Sequence, residues 1–132
     1  MDRPTNDPAE RGEPKADESD TVFATAAELF SLLSTPIRLK ILSALCNGEK
    51  NVSQLLADIE TTQPNMSQHL STLYRAGVLG KRRDATQIYY RIESERAAML
   101  CRAVCTQIAL EMDPDADVGS SERLLPRPAL RS

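Results

Sequence analysis

Three cysteines and one run of polar and basic side chains are the residues of this chain with the most chemistry to offer. Cys46 stands alone, whereas Cys101 and Cys105 are four apart, the spacing that puts two side chains on one face of a helix. Thiols act as nucleophiles toward oxidants and sulfur species, and three thiolates suffice for a trigonal soft-metal site. The second set runs from Gln63 to Arg83. Gln63, Asn65, Ser67, Gln68, His69, Ser71 and Arg75 supply amides, hydroxyls, an imidazole and a cation, and Lys81, Arg82 and Arg83 follow as three consecutive bases. Groups of these kinds bond base edges and phosphates. With one His, no Trp and five Gly, zinc clusters and glycine-rich phosphate loops have little to be built from. Thiol oxidoreductase chemistry is disfavoured too. C-x-x-x-C inside a helix is not the C-x-x-C motif, and Cys46 falls at a helix C-terminus, the end that opposes an anion.

The formal net charge of −3 over 132 residues hides a division along the chain. Residues 1–20 carry seven acids, three bases and three prolines, with no aliphatic residue beyond Met1, so a disordered acidic arm is expected there. Residues 113–132 have four acids, three bases and three prolines, and are expected to be a disordered tail. The remaining residues, 21–112, hold ten bases against eight acids and form the expected folded domain. Within it, 68–91 carries Arg75, Lys81, Arg82, Arg83 and Arg91 against Asp84 alone, a local excess that suits a nucleic-acid partner. No apolar run reaches the ~18 residues of a spanning helix, and the acidic start does not suit a secretory signal. An odd number of cysteines fits a reduced, cytoplasmic chain better than a disulfide scaffold.

The elements that must position these residues can be read from period and punctuation. Val22, Phe23, Ala26, Ala27, Phe30 and Leu33 recur at helical spacing, which predicts a first helix from about Asp20 to Leu33. Thr35-Pro36 opens a second helix as cap and first residue, and Asn47-Gly48 closes it. That helix is apolar on nearly all sides and should be the most buried. A short third helix holds Val52, Leu55, Leu56 and Ile59, with Asn51 available as its cap. The fourth runs from near Thr62 to Ala76, with Met66, Leu70 and Leu73 on its buried side. Pro64, Ser67, Gln68, Ser71, Thr72 and Arg75 lie opposite. The period then changes in VLGKRRDATQIYYRI, which predicts a hairpin turning at Asp84-Ala85-Thr86. A last helix follows from about Ser94, with Cys101 and Cys105 in its apolar stripe.

Two helices joined by a tight turn and followed by a basic hairpin make a winged helix-turn-helix: mainly α, five helices and a two-stranded wing. Its fourth helix would enter the major groove, with Arg82 and Arg83 at the adjacent backbone or minor groove. A protein-interaction module without DNA contact stays open as an alternative.

The runs LLSTPIRLKILSAL, VSQLL, TTQPNMSQHLSTLYRAGVL and KRRDATQIYYRI resemble the ArsR/SmtB family of bacterial repressors over residues 29–112. The S-x-H-L-x-x-L-x-x-A-G signature, Ser67 to Gly77, is specific to it. The resemblance implies a homodimer, paired through its first and last helices, on an inverted-repeat operator, with no enzymatic activity and no cofactor. It implies release of the operator when a metal ion or thiol chemistry alters the dimer. It places Gln63, Asn65, Ser67, Gln68 and His69 in the recognition helix and Arg82 and Arg83 in the wing. His69 then reads as a packed or phosphate-contacting imidazole, since no second His exists to complete a metal site. The His-bearing last helix of the zinc sensors has no counterpart in ESERAAMLCRAVCTQIALEM, and NVSQLLADIE lacks the cysteines of the arsenic and cadmium motif.

A thiol subgroup of the family bridges one cysteine on the second helix to one on the last. Aligned by position, those cysteines fall at Ser43 and near Ala109. Cys46 lies about one turn later and Cys105 one turn earlier, and on helices packed antiparallel both shifts run the same way in space. The resemblance therefore implies a Cys46–Cys105 pair, with Cys101 as core residue, alternative partner or third thiolate. The inducer is then a reactive sulfur species or oxidant; the alternative is arsenite or another soft ion held by Cys46, Cys101 and Cys105.

Overall fold

The computed structural model describes residues 14–115, and side chains from residue 18 onward. The chain divides into two compact units at Leu32/Leu33. The first contains helix α1, Pro14–Leu32. Its start corrects the expected boundary: residues 14–20 are helical, not part of a disordered arm. Proline suits a first helical position and acids favour the positive end of a helix, so the composition that argues against order also suits a helix start. The expectations for residues 1–13 and 116–132 lie outside the described residues.

The second unit contains the remaining elements, in the order α2 (Pro36–Leu45), β1 (Lys50–Asn51), α3 (Val52–Asp58), α4 (Gln63–Arg75), β2 (Leu79–Asp84), β3 (Gln87–Ile92) and α5 (Glu95–Met112). The helices begin where their caps dictate. Thr35 Oγ1 accepts from the Arg38 N–H at 3.1 Å, with Pro36 as the first residue of α2. Asn51 and Gln54 form a reciprocal capping box on α3. Thr62 and Ser94 cap α4 and α5 through their hydroxyls. Gly48 and Gly77, with φ of +135° and +83°, follow the ends of α2 and α4 and adopt backbone that an L side chain resists.

The strands form one antiparallel sheet in the order β1-β3-β2. The five helices and the β2–β3 hairpin wing match the expected winged helix-turn-helix. β1 adds a third, two-residue strand that pairs Lys50 with Tyr90 and Asn51 with Tyr89. Ile41, Leu42, Leu55, Ile59, Met66, Leu70, Leu73 and Leu79 are fully buried and make the core. Residues 41–45 of α2 are all buried, which only a helix covered on every side allows. This core fixes α4 and the root of the wing on one support.

Candidate nucleic-acid interface and thiol cluster

α4 has two opposed faces. Met66, Leu70 and Leu73 are sealed in the core, while Gln63, Ser67, Gln68 and Arg75 are exposed and Ser71 is half-buried. The side chains of Gln63, Ser67 and Gln68 have no hydrogen-bond partner among the described residues, so their amides and hydroxyl remain available to base edges. Asn65 donates through Nδ2 to Thr61 Oγ1 at 2.7 Å, and Arg75 donates to Ser71 Oγ. His69 is turned toward the protein: its Nδ1 accepts from Arg38 Nε of α2 at 3.0 Å. Burial, and then the Arg38 charge, hold its pKa below the ordinary histidine value. The imidazole is thus a neutral acceptor that ties α4 to α2.

The three wing bases are not equivalent. Lys81 lies 4.3 Å from the Tyr74 ring centroid, a cation–π contact between β2 and the end of α4. Arg82 is paired to Glu49 Oε1 at 2.8 Å, lies 3.9 Å from Asp84, and stacks 4.9 Å from the centre of Tyr89, its partner across the strands. Arg83 is exposed and has no partner among the described residues.

The sulfurs gather where α2 meets α5. Cys101 is buried, and Cys46 and Cys105 are half-buried. Cys101 Sγ lies 3.6 Å from the Leu39 carbonyl oxygen and 4.0 Å from Cys105 Sγ. Arg102 Nη2 donates to Cys46 Sγ at 3.2 Å. The hydrogen bond between the two α5 thiols and burial push the Cys101 thiol far up. The same bond lowers Cys105 to about 7, against its own desolvation. On α2, Leu39, Ser43 and Cys46 follow at four and three residues, one stripe of the helix. Ser43 Oγ, within that stripe, is buried without a hydrogen-bond partner among the described residues. Among the described residues no three His, Cys, Asp or Glu side chains are grouped to hold a metal ion, so the three-thiolate alternative is not assembled in this conformation.

Sequence reasoning thus finds the helices that carry the cysteines, the polar face of α4 and the hairpin, and misses Arg38, Glu49 and Arg102. No spacing signal marks these three; each becomes visible only when distant segments are brought together.

The chain matches the family model for bacterial regulatory proteins of the arsR family over residues 35–81. It is 35% identical over 101 residues to the biofilm growth-associated repressor of Agrobacterium fabrum, a match covering 76% of this chain and 86% of that protein. The chain belongs to the ArsR family. Among solved structures, the transcriptional repressor BigR from Xylella fastidiosa superposes with a TM-score of 0.64 at 34% identity, over 70% of this chain and 94% of that one. Reduced HlyU from Vibrio cholerae gives 0.61 at 26% identity, over 73% and 96%. As an ArsR-family member the chain is a DNA-binding transcriptional repressor and not an enzyme. Among the described residues no single helix is long and apolar enough to cross a membrane.

Proposed function

We propose that this ArsR-family repressor works in the cytoplasm as a homodimer on an inverted-repeat operator and releases it when its thiols react with a sulfur species or an oxidant. The observation that carries the reading is the pair of cysteine contacts between α2 and α5, Cys46 Sγ with Arg102 and Cys101 Sγ with the Leu39 carbonyl, with Cys105 Sγ 4.0 Å from Cys101. α2 also bears Arg38, which holds His69 of the reading helix. A change in how α5 sits on α2 therefore acts on the support of α4. Coupling of ~1–3 kcal/mol is enough to change operator affinity about 5–150-fold. Gln63, Asn65, Ser67, Gln68, His69, Ser71, Arg75, Lys81, Arg82 and Arg83 make up the proposed DNA-facing set, with His69 supporting the reading helix and Arg82 the wing rather than contacting DNA.

The dimer reading is supported by exposed apolar side chains. Val22, Phe23 and Phe30 are exposed on α1, and Met99, Val104, Ile108 and Met112 on α5. Two such copies would supply one reading helix to each half-site. Sedimentation at micromolar concentration should give a dimer; a monomer that still binds the operator tightly refutes this part.

The deciding experiment treats the parent and Cys→Ser variants with polysulfide, peroxide and arsenite, reading operator binding and intact mass together. Cys46→Ser and Cys105→Ser should bind DNA when reduced and fail to release it after polysulfide or peroxide. Cys101→Ser should still respond if Cys46 and Cys105 are the bridging pair. Release by arsenite that requires all three thiols would instead assign the soft-metal function. An inducer response in the triple Ser variant equal to the parent's rules out thiol sensing.

A further inference from the structure

The segment that closes α2 also touches the wing. Cys46 is the residue capping the end of α2, and its N–H donates to Ser43 O at 3.3 Å. Gly48 then donates to Leu45 O at 3.2 Å in a turn with φ of +135°. Glu49 follows at once, and Lys50 and Asn51 are already paired with Tyr90 and Tyr89 of β3. The chain from Cys46 to Lys50 thus runs from a sensor sulfur to the sheet with little slack.

Glu49 meets the wing through one guanidinium. Arg82 on β2 donates to Glu49 Oε1 at 2.8 Å and stacks on Tyr89 of β3. That side chain therefore joins the α2–β1 turn to both strands of the hairpin. Arg83 is the next residue on the strand, so it points from the opposite face, exposed and unpartnered among the described residues. A fixed Arg82 and a free Arg83 divide the labour between anchoring and contact.

We propose that Glu49 and Arg82 form the strut that sets the wing for DNA binding, and that chemistry at Cys46 acts on the wing through this strut. Glu49 is then a positioning residue, Arg82 an anchor, and Arg83 the phosphate-contacting base. The second half of the proposal rests on the thiol-responsive reading above. The route from Cys46 is short and mechanical. Its sulfur accepts from Arg102 of α5 at 3.2 Å. When Cys46, its proton lost to solvent, attacks an S–S bond of polysulfide, a persulfide S–S bond forms and the shortened polysulfide leaves carrying the electron pair; the added sulfur then displaces that guanidinium or moves the α2 terminus. The displacement reaches Glu49 three residues later, inside a hydrogen-bonded turn.

The test is a double-mutant cycle read on operator DNA at several salt concentrations, before and after polysulfide treatment, with intact mass followed throughout. In the reduced state E49Q and R82A should each weaken binding about two- to fivefold, the range of an exposed ion pair. E49Q/R82A should bind no more weakly than R82A, because the strut is already gone. Neither variant should change the salt dependence, whereas R83A should lower the slope of log K against log salt by about one unit. After treatment E49Q should gain the same mass as the parent while its loss of affinity is smaller. Tighter binding by E49Q with a steeper salt slope would show Arg82 to be a withheld phosphate contact and overturn the strut. Additive effects in the cycle overturn it equally. A parent that gains mass without losing affinity refutes thiol sensing, and the coupling with it. An E49Q response equal to a genuine parent response refutes the coupling alone.

Discussion

On α4, Gln63, Ser67 and Gln68 stand exposed, their side chains unpartnered among the described residues, above a sealed row of Met66, Leu70 and Leu73. At the α2–α5 contact the sulfurs are buried or half-buried, and each touches a neighbour: Cys46 touches Arg102, Cys101 touches Leu39, and Cys101 and Cys105 touch each other. The first region keeps its polar groups free so that a partner can satisfy them. The second keeps its reactive groups engaged, so that any reaction must break a contact inside the fold. The proposed binding face and the proposed sensing site therefore place opposite demands on burial, and one 10-residue helix, α2, touches both.

The largest effect separates the face of α4 from its support. Leu70 is fully buried, and Leu70→Ala removes core contacts at an expected cost of about 2–5 kcal/mol. Denaturant unfolding should show that loss, with operator binding falling alongside it. Gln68→Ala is the contrasting variant on the opposite side of the same helix. It should leave unfolding unchanged within about 0.5 kcal/mol. If Gln68 makes a bidentate base contact, its loss weakens the cognate operator by ~1–3 kcal/mol and relaxes sequence preference there. Equal weakening on unrelated duplexes would assign Gln68 to the backbone instead.

The thiol region is sharpened by its pH dependence. The hydrogen bond between the Cys101 and Cys105 thiols, in which either sulfur can be the donor, lowers Cys105 to about 7 from an ordinary 9.0. Alkylation of Cys105, followed by peptide mass, should therefore rise with a midpoint near that value as pH increases. Cys101→Ala removes that hydrogen bond and leaves the desolvation, so the midpoint should move to higher pH. At neutral pH the thiolate fraction, and the reaction with it, then falls roughly tenfold for each pH unit that the midpoint climbs. An unchanged midpoint in this variant would mean that the Cys101 proton stays with the Leu39 carbonyl, 3.6 Å away, and does nothing for Cys105.

What the sequence discloses follows the same division. Thr35-Pro36, Asn51 and Thr62 act within three or four residues, so the starts of α2, α3 and α4 are legible as local chemistry. The polar face of α4 and the hairpin are equally local, carried by period. The start of α1 is not legible, because acids and proline signal disorder in composition but suit a helix start in position. β1 is invisible because two residues carry no period. The contacts that give the site its logic span 31 residues for Arg38–His69, 33 for Arg82–Glu49 and 56 for Arg102–Cys46. None of these pairings is encoded in spacing; each depends on packing that only the folded core provides.

The smallest effect lies at the tip of the wing. Strands β2 and β3 pair up to Asp84 and Gln87, leaving Ala85 and Thr86 to make the turn. Ala85 has φ of +59°, the left-handed region that tight hairpin turns require and that an alanine Cβ opposes by roughly 1–2 kcal/mol. Ala85→Gly removes that opposition but adds backbone freedom to the unfolded chain, worth about 0.5–1 kcal/mol the other way. The expected net is a stabilisation of a few tenths of a kcal/mol up to about 1 kcal/mol, confined to the hairpin. Hydrogen exchange of the β2–β3 amides should slow while that of the core helices stays the same. Arg83 lies two residues before Ala85, so a firmer tip should also tighten operator binding slightly without altering the thiol response. A wing that exchanges faster in Ala85→Gly would show that the turn tolerates alanine at no cost and that the hairpin is set by its root at Glu49 and Arg82.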